Sequence, residues 1–265
     1  MTVANRAPAD AGLTATELSF STEGKSLLRA VSLAVHRGSV VGLIGHNGSG
    51  KSTLLKLLAR QLRPSAGTVV VDGCPAADFS ERTFARKVAY LPQDTSLSSD
   101  MTAEELVRCG RYAWHGAFGR FGDEDRASVD KALRLTGTHG LARRTVSTLS
   151  GGERQRVWLA MLIAQNAGYL LLDEPISALD VSHQIEVMSL VRDMSRLNVG
   201  VVVVLHDINM AARFCDHLYA LKGGMLIQAG PTAELMTAGS LTEIYDIGFE
   251  VMPHPRDGRP LAYVA

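Results

Sequence analysis

The stretch GHNGSGKST, residues 45–53, constrains the fold of this 265-residue chain more than any other feature. It matches the pattern G-x-x-x-x-G-K-[ST] and stands between the apolar run SVVGLIG and the helix-forming run KSTLLKLL. In that setting the glycines allow main-chain N–H groups to wrap phosphate oxygens, Lys51 reaches the β and γ oxygens, and Ser52 offers a hydroxyl to Mg²⁺. The alternative is an ordinary glycine-rich turn, which would not explain the pair Lys51-Ser52.

The chain is therefore predicted to bind a nucleotide through a strand–loop–helix unit, with the helix running from Lys51 to about Leu62. The predicted contacts are Gly45, His46, Asn47, Gly48, Ser49, Gly50, Lys51, Ser52 and Thr53.

Hydrophobic patterning extends this unit to a larger α/β fold. LTATELSF and AVSLAVHRG alternate apolar and polar residues, as half-buried antiparallel strands do. YLLLDEP and VGVVVVLHD are apolar on both faces, which is typical of parallel strands covered by helices. Segments after Met101 have helical periodicity and a capping-box spacing at Thr102 and Glu105. The predicted fold is an α/β doubly wound sheet with an antiparallel β layer and a helical insert.

Domain boundaries follow from the same patterns. Residues 1–11 are expected to form a flexible tail, and residues 12–246 a single domain with the helical insert at about 96–165. Residues 247–265 are expected to form a C-terminal hairpin or tail, with a turn at Asp257-Gly258.

Composition excludes several classes of protein. The 27 basic and 27 acidic side chains cancel without forming blocks, which argues against sequence-independent nucleic-acid binding. Three scattered cysteines form no metal-ligand spacing and favour a reducing compartment. The N-terminal ten residues have no apolar signal region, and the apolar runs are too short to span a bilayer. The chain is expected to be cytosolic unless another protein holds it at a membrane.

Two carboxylates end the apolar run YLLLDE. Asp173 could hold Mg²⁺ directly or through water, and Glu174 could orient and deprotonate an attacking water. Capping of the following helix is the alternative, and the upstream phosphate-binding loop makes it the weaker one. Two further residues follow strands. His206 could contact the γ-phosphate, and Gln93 could sense Mg²⁺ and the water, although both residue types often serve only turns.

LSGGERQR, residues 149–156, resembles a second anion-binding helix start. Ser150 could cap the helix, while Gly151 and Gly152 permit close approach of a ligand to the main chain. One nucleotide site does not require two such helix starts.

These motifs together resemble the ATP-binding-cassette (ABC) ATPases. The phosphate-binding loop, Gln93, LSGGERQR, LLLDEP, SALD and His206 occur in that family's order and approximate spacing, from about Leu13 to Met236. The resemblance implies ATP and Mg²⁺ as cofactors, with Ser52, Gln93 and Asp173 near the metal. It also implies that two copies pack head to tail, so that the signature segment LSGGERQR completes the partner's site. The residues implied to contact the partner's nucleotide are Ser150, Gly151, Gly152, Glu153 and Asp180. Many relatives stack adenine on an N-terminal tyrosine, and that position falls near Thr22 in this chain. Phe20 lies two residues earlier on the same face of the strand, so adenine is expected to stack on Phe20.

Several longer segments are similar to ATPase subunits of ferric hydroxamate siderophore importers, notably GRYAWHGAFGRFG and VLHDINMAARFCDHLYALKGG. This similarity implies a permease partner that docks on the insert near Gly110–Gly122 together with the segment after Gln93, and a substrate-binding protein that acts indirectly. It also implies a peripheral place on the cytoplasmic face of the bacterial inner membrane, with no direct contact with iron or siderophore. Import of another iron chelate, haem or cobalamin is the alternative. The aromatic residues Tyr112, Trp114 and Phe118 could instead pack the insert against itself.

Non-transport ABC ATPases are the more distant alternatives. DNA-repair heads carry long heptad segments that this chain lacks, and two-cassette translation factors need a longer chain. Exporters usually fuse the cassette to membrane helices.

Overall fold

The computed structural model describes residues 12–94, 100–116, 119–177 and 179–265. The predicted tail at residues 1–11 lies outside these ranges. No helix within them is both long enough and apolar enough to cross a membrane.

Strands and helices alternate along most of the chain. The strands are β1 Leu13–Thr22, β2 Lys25–Val35, β3 Val40–Ile44, β4 Ala66–Val71, β5 Cys74–Pro75, β6 Val88–Leu91, β7 Tyr169–Leu172, β8 Gly200–Val204, β9 His217–Lys222, β10 Met225–Pro231, β11 Phe249–Pro253 and β12 Pro260–Val264. The helices are α1 Lys51–Leu58, α2 Glu81–Ala85, α3 Ala103–Cys109, α4 Tyr112–His115, α5 Asp123–Leu135, α6 Gly151–Gln165, α7 Val181–Arg196, α8 Ile208–Phe214, α9 Thr232–Leu235 and α10 Ala238–Tyr245.

A six-stranded sheet forms the centre, in the order β10-β9-β3-β8-β7-β6. Strands β9, β3, β8, β7 and β6 are parallel, and β10 pairs antiparallel with β9 through the hairpin that the Gly223-Gly224 pair predicts. Because parallel strands end at the same edge, the segments that follow β3, β6, β7 and β8 are brought together there. This edge carries the candidate site.

A second, antiparallel sheet in the order β2-β1-β4-β5 lies over one face of α1. Leu18 and Leu28 from this sheet share one buried cluster with Leu54 and Leu57 of α1. On the other face of the central sheet, α7 and α8 bury Val187 and Ala211 against the strands. The α/β class with an antiparallel β layer is therefore confirmed.

Helices α3, α5 and α6 form the predicted helical insert around a core of their own. Leu106, Val129 and Val157 belong to this core, one from each helix. The capping box predicted for α3 is present: the Thr102 hydroxyl accepts from the Glu105 N–H, and the Glu105 carboxylate accepts from the Thr102 N–H.

The predicted extension of α1 to about Leu62 is wrong, because the helix ends at Leu58. Arg60 adopts a left-handed conformation with φ of 56°, which turns the chain away from the helix axis. The Lys56 carbonyl then accepts from the Gln61 N–H at 2.8 Å. A hydrophobic pattern continues across this turn, so periodicity alone cannot locate it.

The C-terminal residues form the hairpin of β11 and β12 rather than an extended tail. Asn209 of α8 donates from its side-chain amide to the Ala262 carbonyl at 3.0 Å and accepts from the Ala262 N–H at 2.9 Å. Ala262 is buried in the main core. The hairpin is thus fastened to the same face of the sheet as α8.

Candidate nucleotide-binding site

The glycine-rich loop after β3 wraps tightly around the Lys51 ammonium group. Gly45, Gly48 and Gly50 have φ values of 130°, 75° and 103°, a region that side chains rarely permit. A Cβ at Gly45 would lie 2.1 Å from the Leu221 carbonyl oxygen. Lys51 is 4% exposed and donates to the carbonyls of Gly45 and His46, both at 2.8 Å. Burial lowers the Lys51 pKa, while the nearby carboxylates of Glu174 and Asp173 oppose that shift.

Asp173 and Ser52 present oxygen atoms to the same point. The Ser52 hydroxyl donates to Asp173 Oδ1 at 2.8 Å, and Asp173 is 2% exposed. Burial raises the Asp173 pKa, although the bond from Ser52 opposes the rise, and the neighbouring Glu174 charge adds to it. A buried carboxylate beside a hydroxyl is a donor set that suits Mg²⁺, which prefers oxygen ligands and completes its shell with water and phosphate.

Glu174 is held from both sides by residues that follow the neighbouring strands. Gln93 after β6 donates to Glu174 Oε2 at 2.9 Å, and Nε2 of His206 after β8 lies 2.6 Å from Glu174 Oε1. The strand order β8-β7-β6 explains this meeting, because β7 lies between the other two. Glu174 itself has a φ of 51°, a strained conformation for a residue with a side chain and one that often marks functional positions.

Most of these groups line one open cavity of about 420 Å³, and the Asp173 carboxylate lies behind it against Ser52. Its lining comprises Lys25, Leu27, Asn47, Gly48, Gly50, Lys51, Ser52, Thr53, Gln93, Glu174 and His206. Lys25 and Leu27 of β2 were not identified from the sequence, because they lie between LTATELSF and AVSLAVHRG, the two segments whose alternation predicts strands. Their position next to the loop depends on the packing of the two sheets.

Phe20 does not line this cavity. It lies on β1 opposite Leu28, and its ring is partly buried against the core beneath α1. Thr22 ends β1 at an exposed position. Leu27 is the apolar side chain that β2 presents to the cavity, so adenine stacking on Phe20 stays a prediction that the lining does not favour.

The signature segment lies apart from the cavity lining of its own chain. Ser150 caps α6: its hydroxyl accepts from the Glu153 N–H at 3.3 Å, and Glu153 Oε2 accepts from the Ser150 N–H at 2.9 Å. Ser150 and Gly151 are exposed, whereas Gly152 is buried. None of Ser150, Gly151, Gly152, Glu153 or Asp180 is among the residues that line the cavity.

Asp180 caps the other helix near this segment, α7. Its Oδ1 accepts from the His183 N–H at 3.0 Å, from the Ser182 hydroxyl at 2.9 Å and from the His183 ring at 2.8 Å. The bond from the His183 N–H contributes most to lowering the Asp180 pKa, which falls to about 2.

The C-terminal helix α10 supports the loop from behind. The His46 ring meets Tyr245 edge-on with centroids 5.5 Å apart, and His46 Nε2 lies 3.8 Å from Asp246 Oδ2. Burial raises the Tyr245 pKa to about 12. The sequence contains no local pattern that links residues so far apart.

The aromatic residues of the insert differ in their surroundings. The Trp114 indole donates to the Gln165 carbonyl at 2.7 Å, and the guanidinium groups of Arg86 and Arg111 lie over its ring. Trp114 therefore packs the insert internally, whereas Tyr112 is 54% exposed. Phe118 lies outside the described residues.

Comparison with known sequences places this geometry in a family. Residues 28–177 match the family described as ABC transporter. A hemin import ATP-binding protein from Streptomyces coelicolor is 46% identical over 89% of this chain and 83% of its own length. An iron(3+)-hydroxamate import ATP-binding protein from Bacillus subtilis is 38% identical over 94% of this chain and 93% of its own length.

Solved structures agree with the sequence comparison. An ABC transporter described as metal-chelate type, in an inward-facing conformation, matches with a TM-score of 0.84 and 25% identity over 96% of this chain and 98% of that chain. The dimeric bacterial ABC transporter cassette MJ0796 matches with a TM-score of 0.73 and 28% identity over 83% of this chain and 98% of that chain. The nucleotide bound by ATPases of this kind is ATP or ADP, as the ADP-bound cassette among these structures illustrates. From its sequence match and its fold together, this chain belongs to the ABC transporter family, as an ATP-binding-cassette ATPase domain.

Proposed function

We propose that this chain hydrolyses ATP to energise the import of a ferric siderophore of the hydroxamate type through a membrane permease. The observation that carries the ATPase part is the position of Glu174 between Gln93 and His206, in the cavity that also contains Lys51 and Ser52. The names and identities of the relatives support the transport part.

In the proposed reaction a water oxygen bonds to the γ-phosphorus, the bond to the bridging oxygen breaks, and ADP leaves. The water proton passes to the Glu174 carboxylate, which acts as the general base. Gln93 orients that carboxylate through its hydrogen bond to Oε2, and His206 through its close contact with Oε1. Lys51 and the loop amides stabilise charge on the phosphate oxygens.

Ser52 and Asp173, with Gln93 as a further oxygen donor, would hold Mg²⁺. When bound, Mg²⁺ would neutralise charge on the phosphate groups. The raised pKa of Asp173, caused mainly by burial, fits a carboxylate that gains from an added cation.

The signature segment is proposed to act on the nucleotide of a second copy. Ser150 is exposed at the positive end of the 15-residue helix α6 and lies away from its own chain's cavity. A head-to-tail homodimer would bring Ser150, Gly151, Gly152, Glu153 and Asp180 to the partner's nucleotide. The dimeric cassette among the similar structures supports this arrangement.

The permease is proposed to dock on a groove between α2 and the insert. This groove, of about 240 Å³, is lined by Glu81, Arg82, Ala85, Cys109, Gly110, Tyr112, Ala113 and Gln165. Three of these residues, Gly110, Tyr112 and Ala113, belong to the segment Gly110–Gly122 that the sequence resemblance predicts for this contact. Residues 95–99, in the segment after Gln93 that the resemblance also predicts, lie outside the described residues. The chain would then be peripheral, on the cytoplasmic face of the bacterial inner membrane, and the substrate-binding protein would act only through the permease.

Haem is the second candidate cargo, and one specific observation favours it. The hemin import relative is 46% identical to this chain, compared with 38% for the hydroxamate relative. The cassette itself would contact neither cargo, so the permease that fits the groove would decide which is carried.

Uptake measurements in cells that lack this chain test the proposal. We expect loss of uptake of radiolabelled ferric hydroxamate, restored by the native chain but not by Glu174→Gln, with Glu124→Gln as an exposed carboxylate control. Loss of hemin uptake with unchanged hydroxamate uptake would transfer the assignment to haem. Normal uptake of every iron chelate and of haem would contradict the import function.

A further inference from the structure

His183 lies where the starts of two helices meet. It is the third residue of α7, and its side chain is 31% exposed. A Cβ placed on Gly152, the second residue of α6, would lie 2.3 Å from His183 Cδ2 and 2.6 Å from His183 Cγ. Non-bonded carbon atoms do not approach each other this closely, so the His183 ring occupies the space that any other side chain at Gly152 would need.

The ring is held in this place by Asp180. The Asp180 carboxylate is ionised at neutral pH and can only accept, so the His183 nitrogen Nδ1, 2.8 Å away, carries the proton and donates. Further along the two helices, Arg156 of α6 forms an ion pair with Glu186 of α7. Helices α6 and α7 are thus joined by two contacts on the same side.

We infer that His183 is a positioning residue, which joins the signature segment at Gly152 to Asp180 so that both present one rigid surface to a partner copy. This inference rests on the proposed head-to-tail dimer and adds a residue to it. It also gives Gly152 a role that Gly151 does not have. A glycine is needed at position 152 because the His183 ring packs against it, and a phosphate of the partner's nucleotide could also approach there.

Thermal melting tests the contact without reference to function. Alanine is favoured over glycine inside helices, so Gly152→Ala would raise the melting temperature if nothing stood in its way. With His183 present we expect Gly152→Ala to lower it by a few degrees. In a His183→Ala background the same change should leave it unchanged or raise it. An equal decrease in both backgrounds would overturn the contact.

Gly239 provides a matched control. It is also the second residue of a helix, α10, and a Cβ there would meet nothing within 4 Å. Gly239→Ala should leave the melting temperature unchanged or raise it, in both backgrounds.

Kinetics test the positioning role. We expect His183→Ala to lower kcat about tenfold, while the Kd of a fluorescent ATP analogue stays within twofold, because only the surface offered to the partner is disturbed. His183→Asn keeps a donor for Asp180 and has atoms near the positions of Cγ and Cδ2, the two ring atoms closest to Gly152, so it should restore most of kcat. Full kcat in His183→Ala, or the same loss in His183→Asn as in His183→Ala, would overturn the role. If the native chain neither hydrolyses ATP nor dimerises, the proposed function fails instead, and the melting experiment still decides the contact.

Discussion

Glu174 and His206 follow adjacent parallel strands, and their side chains meet with 2.6 Å between Oε1 and Nε2. Gln93, after the strand on the other side, donates to the second carboxylate oxygen. The base proposed for hydrolysis therefore has both oxygens fixed before a water arrives. Such fixed orientation is what general base catalysis requires.

Replacement of Glu174 by glutamine should separate ATP binding from hydrolysis. Glutamine keeps the size of the side chain but cannot take a proton, so we expect a loss of at least about 100-fold in kcat with ATP binding retained. Dimers should accumulate with ATP and disperse with ADP in size-exclusion chromatography. Near-native turnover would remove Glu174 as the base, and Glu124→Gln on exposed α5 serves as the control.

Lys51→Ala should act at the binding step. The Lys51 ammonium group is buried in the loop, whereas Lys25 of the same cavity lining lies at an exposed position on β2, so loss of Lys51 removes the charge that is held inside the loop. We expect the Kd for ATP to rise at least about tenfold, which is about 1.4 kcal/mol, by fluorescence titration. Lys131→Ala, at an exposed position on α5, should bind ATP normally.

Mixed dimers should show that the signature acts across the interface. When one subunit carries Lys51→Ala and the other Ser150→Arg, both lesions fall in one composite site and the second site stays intact. We expect measurable ATPase activity in purified heterodimers and much less in either mutant homodimer. Equal activity in all three would argue for a signature that serves its own chain.

The ion pair of Arg111 and Asp125 should dominate the stability of the insert. Arg111 Nε donates to Asp125 Oδ1 at 2.8 Å, and both residues are buried. Asp125→Asn leaves a buried guanidinium group without its counter-charge, so we expect a loss of about 3 kcal/mol in the free energy of unfolding. Asp123→Asn breaks a pair in which both side chains are more than half exposed, and should cost under about 1 kcal/mol.

The same pair predicts a pH dependence. Burial by itself raises the Asp125 pKa, but the hydrogen bonds from Arg111 and the Gly122 N–H outweigh it and hold the pKa below its usual value. A carboxyl with a lower pKa in the folded chain stabilises the fold above its unfolded pKa of about 4. That contribution is lost as the pH falls through the folded pKa. Asp125→Asn should flatten this part of a plot of melting temperature against pH, and an unchanged slope would contradict the assignment.

Local patterns predicted much of the fold. The caps at Thr102 and Ser150 depend on residues three positions apart, and the hairpin turn at Gly223-Gly224 depends on two neighbours. These caps and this turn depend only on residues that are close together in the sequence, which is why the residue spacing predicts them. The end of α1 at Leu58 escaped prediction because the left-handed turn at Arg60 carries no glycine to mark it.

The phosphate-binding loop, the buried strands and the order of the family's motifs could be predicted from the amino-acid sequence, because each depends on residue types within a short window. The meeting of Gln93 with Glu174, 81 residues away, and with His206 on the same carboxylate could not, since the strand order of the folded chain sets which strand ends are neighbours. The packing of the folded chain also decides that the His183 ring fills the space beside Gly152. These contacts join distant segments, and their distances follow from how sheets and helices pack rather than from any local preference.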